Sequence, residues 1–143
     1  MRAVVWIAES TWESCVDEAA AYLPDDAEVT LLHVAPSDVE LVAGRRHGPL
    51  GRHHHAPPLE PIADEAAQAL LEEAAARLGR PAQTLKRRGR VEHEVVEAVA
   101  DADLLILARD GERHPGPKSL GPRTRFVVDH AACRVLLVWR API

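Results

Sequence analysis

Ala3-Val4-Val5-Trp6-Ile7-Ala8, followed by Glu9-Ser10-Thr11-Trp12-Glu13, is the stretch on which the fold turns. Its first six residues are apolar without a break and too few for a helix, so they read as a strand buried on both faces. Ser10 and Glu13 stand three apart, the form of a capping box, and predict a helix start there. Behind them Cys15, Val16, Ala19, Ala20 and Leu23 keep helical spacing until Pro24-Asp25-Asp26. A doubly buried strand leading directly into a helix is the opening unit of a parallel α/β sheet.

The same alternation continues outward. Residues 29–34 predict a second strand, with His33 inside it, and residues 62–78 an Ala/Glu/Leu-rich helix stopped by Gly79. A modest strand follows over 82–88, then Gly89 as a turn, then Val91, Val95, Val96 and Val99 on one helical face. Leu104-Leu105-Ile106-Leu107 is another buried strand, residues 122–132 a helix, and residues 135–139 the last strand. Between 35 and 61 no period holds, and Gly, Pro and His concentrate there, which predicts a long mobile loop. The expected architecture is one α/β domain over 1–143, an open parallel sheet with helices on both faces.

The 143 residues suffice for a real core, and 47% apolar with 27% charged content is the balance of a globular chain. With only 3% aromatic residues, that core must be aliphatic. A net charge of −5 speaks against general nucleic-acid binding. No apolar run approaches the ~18 residues of a membrane span, and the apolar start meets Glu9 too soon for a signal peptide. The cytoplasm is therefore the expected location. Cys15 and Cys133 form no disulfide framework and read as inert, reduced core thiols.

In open sheets of this kind ligands bind beyond the carboxyl ends of the strands, where the strand order reverses. Residues 8–12, the loop after Val34 and residues 108–124 would meet there. In the last of these, Gly111 and Gly121 are separated by nine residues and precede a helix, an arrangement that lets backbone amides approach an anion. Arg109, Arg113, Lys118, Arg123 and Arg125 outnumber Asp110 and Glu112, while the 35–61 loop adds Arg45, Arg46, Arg52, His47 and His53-His54-His55. An anionic small molecule or an acidic partner would suit such an edge. The histidine spacing matches no closed zinc site, and no metal is expected. Gly-x-Ser-x-Gly, His-Glu-x-x-His and complete P-loop patterns are absent, so no catalytic residue is named and an enzyme is not expected.

Arg88-Gly89-Arg90-Val91-Glu92-His93-Glu94-Val95-Val96, then Ala102 to Leu107, then Leu120-Gly121-Pro122 and Val127 to Val138 follow one another in an order and spacing that resemble the universal stress protein (UspA-like) family. The strand ending Leu32-His33-Val34 looks like that family's second strand. The resemblance covers nearly the whole chain except the 35–61 loop. It implies a three-layer α/β/α, Rossmann-like sheet of the adenine nucleotide alpha hydrolase kind, five parallel strands in the order 3-2-1-4-5. It also implies a homodimer, which the apolar edge strand 134–140 could form by pairing with a second copy.

Many members of the family bind ATP through Gly-x2-Gly-x9-Gly-Ser/Thr. Here that frame reads Ala108-x2-Gly111-x9-Gly121-Pro122, its spacing kept and both ends altered. Glu9 aligns with the family's acidic residue after the first strand. Pro122 suits the first position of a helix, but it brings neither the N–H nor the hydroxyl that phosphates would use. Ala8, Glu9, Ser10, Val34, Ala108, Arg109, Gly111, Gly121, Pro122, Arg123 and Thr124 are the expected ligand site. The implied function is a stress-response regulatory dimer holding ATP or another adenine nucleotide weakly or atypically. The alternative is a nucleotide-independent interaction dimer with a decayed site.

Overall fold

The computed structural model describes residues 1–37, 59–111 and 119–140, with side chains left out at 59–63. Among these residues strands and helices alternate: β1 (Arg2–Trp6), α1 (Trp12–Tyr22), β2 (Glu28–Pro36), α2 (Leu59–Leu78), β3 (Gln83–Gly89), α3 (Val91–Ala98), β4 (Leu104–Arg109), α4 (Pro122–His130) and β5 (Arg134–Trp139). The five strands form one parallel sheet in the order β3-β2-β1-β4-β5, as expected. Among the described residues no helix is long and apolar enough to cross a membrane.

The alternation of side chains along each strand divides the core in two. Ala3, Val5 and Ile7, with Leu31, Ile106 and Ala108, pack under α1 and α2 against Val16, Ala19, Leu71 and Ala74. Val4, Trp6, Leu32, Val34, Leu105 and Leu107 face the other way, onto Val91, Val95, Val99 and Val127 of the α3–α4 layer. This is why the apolar runs 3–6 of β1 and 104–108 of β4 are unbroken. Among the described residues strand β5 has a partner on one side only, and its residues 135–139 are half-buried.

Several boundaries differ from the sequence expectation. Helix α1 starts at Trp12, and its N-cap Thr11 makes no side-chain capping bond, so the Ser10/Glu13 capping box does not form. The Ala8 carbonyl instead accepts the amides of Thr11 and Trp12 at 3.2 and 3.0 Å, closing the turn with backbone alone. Strand β2 runs on through Ala35 and Pro36, paired with Arg88 and Gly89. Helix α2 begins at Leu59, so residues 59–61 are helical rather than loop, with Pro61 in the first turn where its missing N–H costs no bond. Residues 38–58, the remainder of the expected mobile loop, lie outside the described residues. Helix α4 ends at His130, two residues early.

Long-range polar contacts tie the layers together. Gly79, at φ 70°, ends α2 in the left-handed conformation. Arg80 then reaches the turn between α1 and β2, where one guanidinium nitrogen donates to the carbonyls of Pro24, Asp25 and Ala27 at 2.8, 3.0 and 3.2 Å. Arg77 forms a two-pronged bond to Asp17 of α1 at 2.7 and 2.8 Å, which holds the Asp17 carboxyl below the usual carboxylate range. Trp12 packs against the first core cluster beneath Arg77, whose guanidinium lies 6.0 Å from its ring.

The two thiols differ. Cys15 is fully buried in α1, and burial pushes its thiol up to about 12. Cys133, in the turn before β5, is only half-buried at the margin of the second core cluster, and partial burial and Asp103 raise its thiol as well. A thiol reagent near neutral pH is therefore expected to label Cys133 in the folded protein and spare Cys15. Because Cys15 keeps its proton in the folded state, its contribution to stability is complete below the ordinary thiol value of 9.0 and is lost as pH rises towards about 12. Urea midpoints at rising alkaline pH should fall more steeply in the parent than in Cys15→Ala, by at most about 1.4 kcal/mol per pH unit. Equal slopes would contradict the burial argument.

Candidate functional site

The sheet order reverses on either side of β1, and the backbone parts there, beyond the carboxyl ends of β1, β2 and β4. A cavity of about 440 Å³ opens at this point. Its floor is Trp6, Ile7, His33, Val34 and Ala108 at the strand ends; Ala35 and Pro36 extend β2 along one side. Ala66, Ala67 and Leu70 of α2 and Val91 of α3 make apolar walls, and Glu9, Ser10, Thr11, Asp110, Arg123 and Thr124 supply the polar groups. The volume falls in the ~300–1,000 Å³ range of small-molecule sites, and apolar walls with a few convergent polar groups are their usual composition.

Of the expected site residues, Ala8, Glu9, Ser10, Val34, Ala108, Arg123 and Thr124 line this cavity. Four others do not. Arg109, whose register partner is Trp139, lies with its guanidinium 5.0 Å from that ring, towards the sheet edge. Gly111 donates its amide to the Ser119 carbonyl at 2.9 Å and joins the two ends of the loop. Gly121 is the N-cap of α4 and Pro122 its first helical residue, with no capping bond from the Gly121 position itself.

The cap comes from Asp110. Its Oδ1 accepts the Gly121 amide at 2.7 Å, and its Oδ2 accepts the Thr124 hydroxyl at 3.0 Å. Gly121 leaves room for this approach, since a Cβ there would stand 2.9 Å from Asp110 Oδ2 and the carboxylate would have to shift. In the sequence Asp110 stands only as a minority charge among cations. The signal that could have found it is the helix start itself: Gly121-Pro122 has no capping side chain, so an acceptor must arrive from elsewhere.

The anticipated basic edge is not assembled by the described cations. Arg123 lines the cavity, but its Nε lies 3.6 Å from Glu92 Oε2 of α3. Glu92, with its side chain only 14% exposed, is also 3.3 Å from Arg90. His33 Nδ1 lies 2.9 Å from the Ile7 carbonyl, which can only accept, so this nitrogen carries the hydrogen and fixes the ring between β1 and β2. Arg45, Arg46, His47, Arg52, His53, His54, His55, Arg113, His114 and Lys118 lie outside the described residues.

The fold and cavity define a doubly wound α/β protein with a ligand-sized site at its switch point. The model of the universal stress protein family matches residues 3–138, and the chain belongs to that family. Curated proteins give no match. Among solved structures the chain is similar to hypothetical protein MJ0577, with TM-score 0.72 and 20% identity over 99% of this chain and 97% of that one. It is also similar to an Arabidopsis thaliana universal stress protein family member with AMP bound, at TM-score 0.63 and 17% identity over 99% and 92%. A universal stress protein in complex with cAMP aligns at TM-score 0.63 and 20% identity over 99% and 98%. At these identities the likeness speaks for the fold.

Proposed function

We propose that the chain is a stress-response regulatory protein that takes up an adenine nucleoside or nucleotide in the switch-point cavity. The observation that carries this reading is the cavity itself: about 440 Å³, walled by apolar residues of α2 and α3 and by polar groups of α4 and residues 9–11. The bound AMP and cAMP of two similar proteins support the choice of adenine. Glu9, which lines the cavity beside Ser10 and Thr11, would accept hydrogen bonds from a ribose. The half-buried apolar edge of β5 supports a dimer formed by pairing this strand with that of a second copy.

Isothermal calorimetry with adenosine, AMP and ATP is the direct test, with mass spectrometry of the denatured purified protein for a carried nucleotide. Heat of binding from at least one of the three is expected. No heat and no thermal shift at millimolar concentrations would overturn the reading. It would favour the alternative, a dimer that engages a partner without nucleotide, which draws support from the carboxylate already seated at α4.

A further inference from the structure

The amino end of α4 closes one side of the cavity, and the Gly121 amide and the Thr124 hydroxyl there are already engaged. In a doubly wound sheet the amino end of a helix at this edge is where a phosphate finds backbone and hydroxyl donors. Here the Gly121 amide and the Thr124 hydroxyl point at the two oxygens of one carboxylate, Asp110, at 2.7 and 3.0 Å. Pro122 between them has no N–H to add. The Gly121–Asp110 fit is close, with 2.9 Å between a hypothetical Cβ and Oδ2, so this glycine makes room for the carboxylate. The bond from Gly111 to the Ser119 carbonyl anchors the chain immediately after Asp110.

We infer that Asp110 is a specificity-determining residue: it holds the anion position of the cavity, so the site selects an adenine nucleoside over its phosphorylated forms. A phosphate could take these donors only by displacing the carboxylate, and a carboxylate left nearby would repel it. The inference rests on the adenine reading for its ligand, but the claim about the carboxylate is separable from it.

The test compares the parent with Asp110→Asn and Asp110→Gly. The first keeps the shape of the side chain without its charge, and the second empties the position. Calorimetry with adenosine and with ATP gives the affinity ratio for each protein. The parent should favour adenosine, and the ratio of ATP to adenosine affinity should rise at least about tenfold in Asp110→Gly, the scale of one charge-assisted hydrogen bond. Asp110→Asn should fall between them. A parent that prefers ATP, or a ratio unchanged by both substitutions, overturns the inference. If no protein binds adenosine, the adenine reading fails by itself, and tripolyphosphate decides the remainder. A shift of the Gly121 amide resonance on adding tripolyphosphate to either variant, with none in the parent, supports occupation by Asp110. An equal shift in the parent, or none in either variant, overturns it.

Discussion

Replacing Ile106 by Ala is expected to lower stability by about 3–4 kcal/mol, seen as a large fall in the urea midpoint with an unchanged slope. Ile106 is fully buried in β4 and is paired on both sides, with Val5 of β1 and Leu136 of β5. Its side chain belongs to the cluster under α1 and α2, against residues such as Val16, Ala19 and Leu71. The sheet is hydrogen-bonded on both edges of this strand, so the backbone cannot move in to fill the space, and the cavity term adds to the lost transfer free energy. Leu136→Ala, one strand outward and only half-buried, should cost about half as much or less. Equal losses at the two positions would contradict the assignment of the core to the centre of the sheet. For a domain of this size the Ile106 loss is a substantial part of the total stability.

The second large effect is expected at the cavity. Ala66→Trp should abolish adenosine binding or weaken it by at least about tenfold, equivalent to ~1.4 kcal/mol. Ala66 lies on the exposed side of α2 and lines the cavity, where Ala67 and Leu70 complete the same wall. An indole there fills space that the ligand needs, without disturbing buried residues, at a helix-propensity cost of no more than about 0.7 kcal/mol. Ala69→Trp is the matched control: it is exposed on the same helix and does not line the cavity. Calorimetry should show binding lost in the first variant and kept in the second, with similar melting temperatures. Retention of binding in Ala66→Trp would move the ligand away from this cavity.

Much of the architecture was legible locally because burial leaves a periodic trace. Strands β1 and β4 showed themselves by unbroken apolar runs, which only strands covered on both faces sustain. The sheet order came with the family resemblance, whose segments spread over the chain. The ends of elements were less legible. Ser10 and Glu13 have the spacing of a capping box, yet the Ala8 carbonyl satisfies the turn. Arg80 gives no sign in the sequence that it will gather carbonyls more than fifty residues away.

The loop 108–122 shows the same division. Its glycine spacing and its place before a helix pointed to the edge where the cavity opens, and Ala108, Arg123 and Thr124 do meet Ala8, Glu9, Ser10 and Val34 there. Which groups face the ligand was a different matter. Arg109 turns to Trp139, Arg123 is drawn to Glu92, and Asp110 takes the donors of α4. The sequence by itself determined the layers, the strands and the edge at which the cavity opens, because apolar periodicity and glycine–proline punctuation are local properties of the chain. Only the tertiary structure decided which partners Arg109, Asp110 and Arg123 take, because charges choose partners by distance after packing has brought distant segments together.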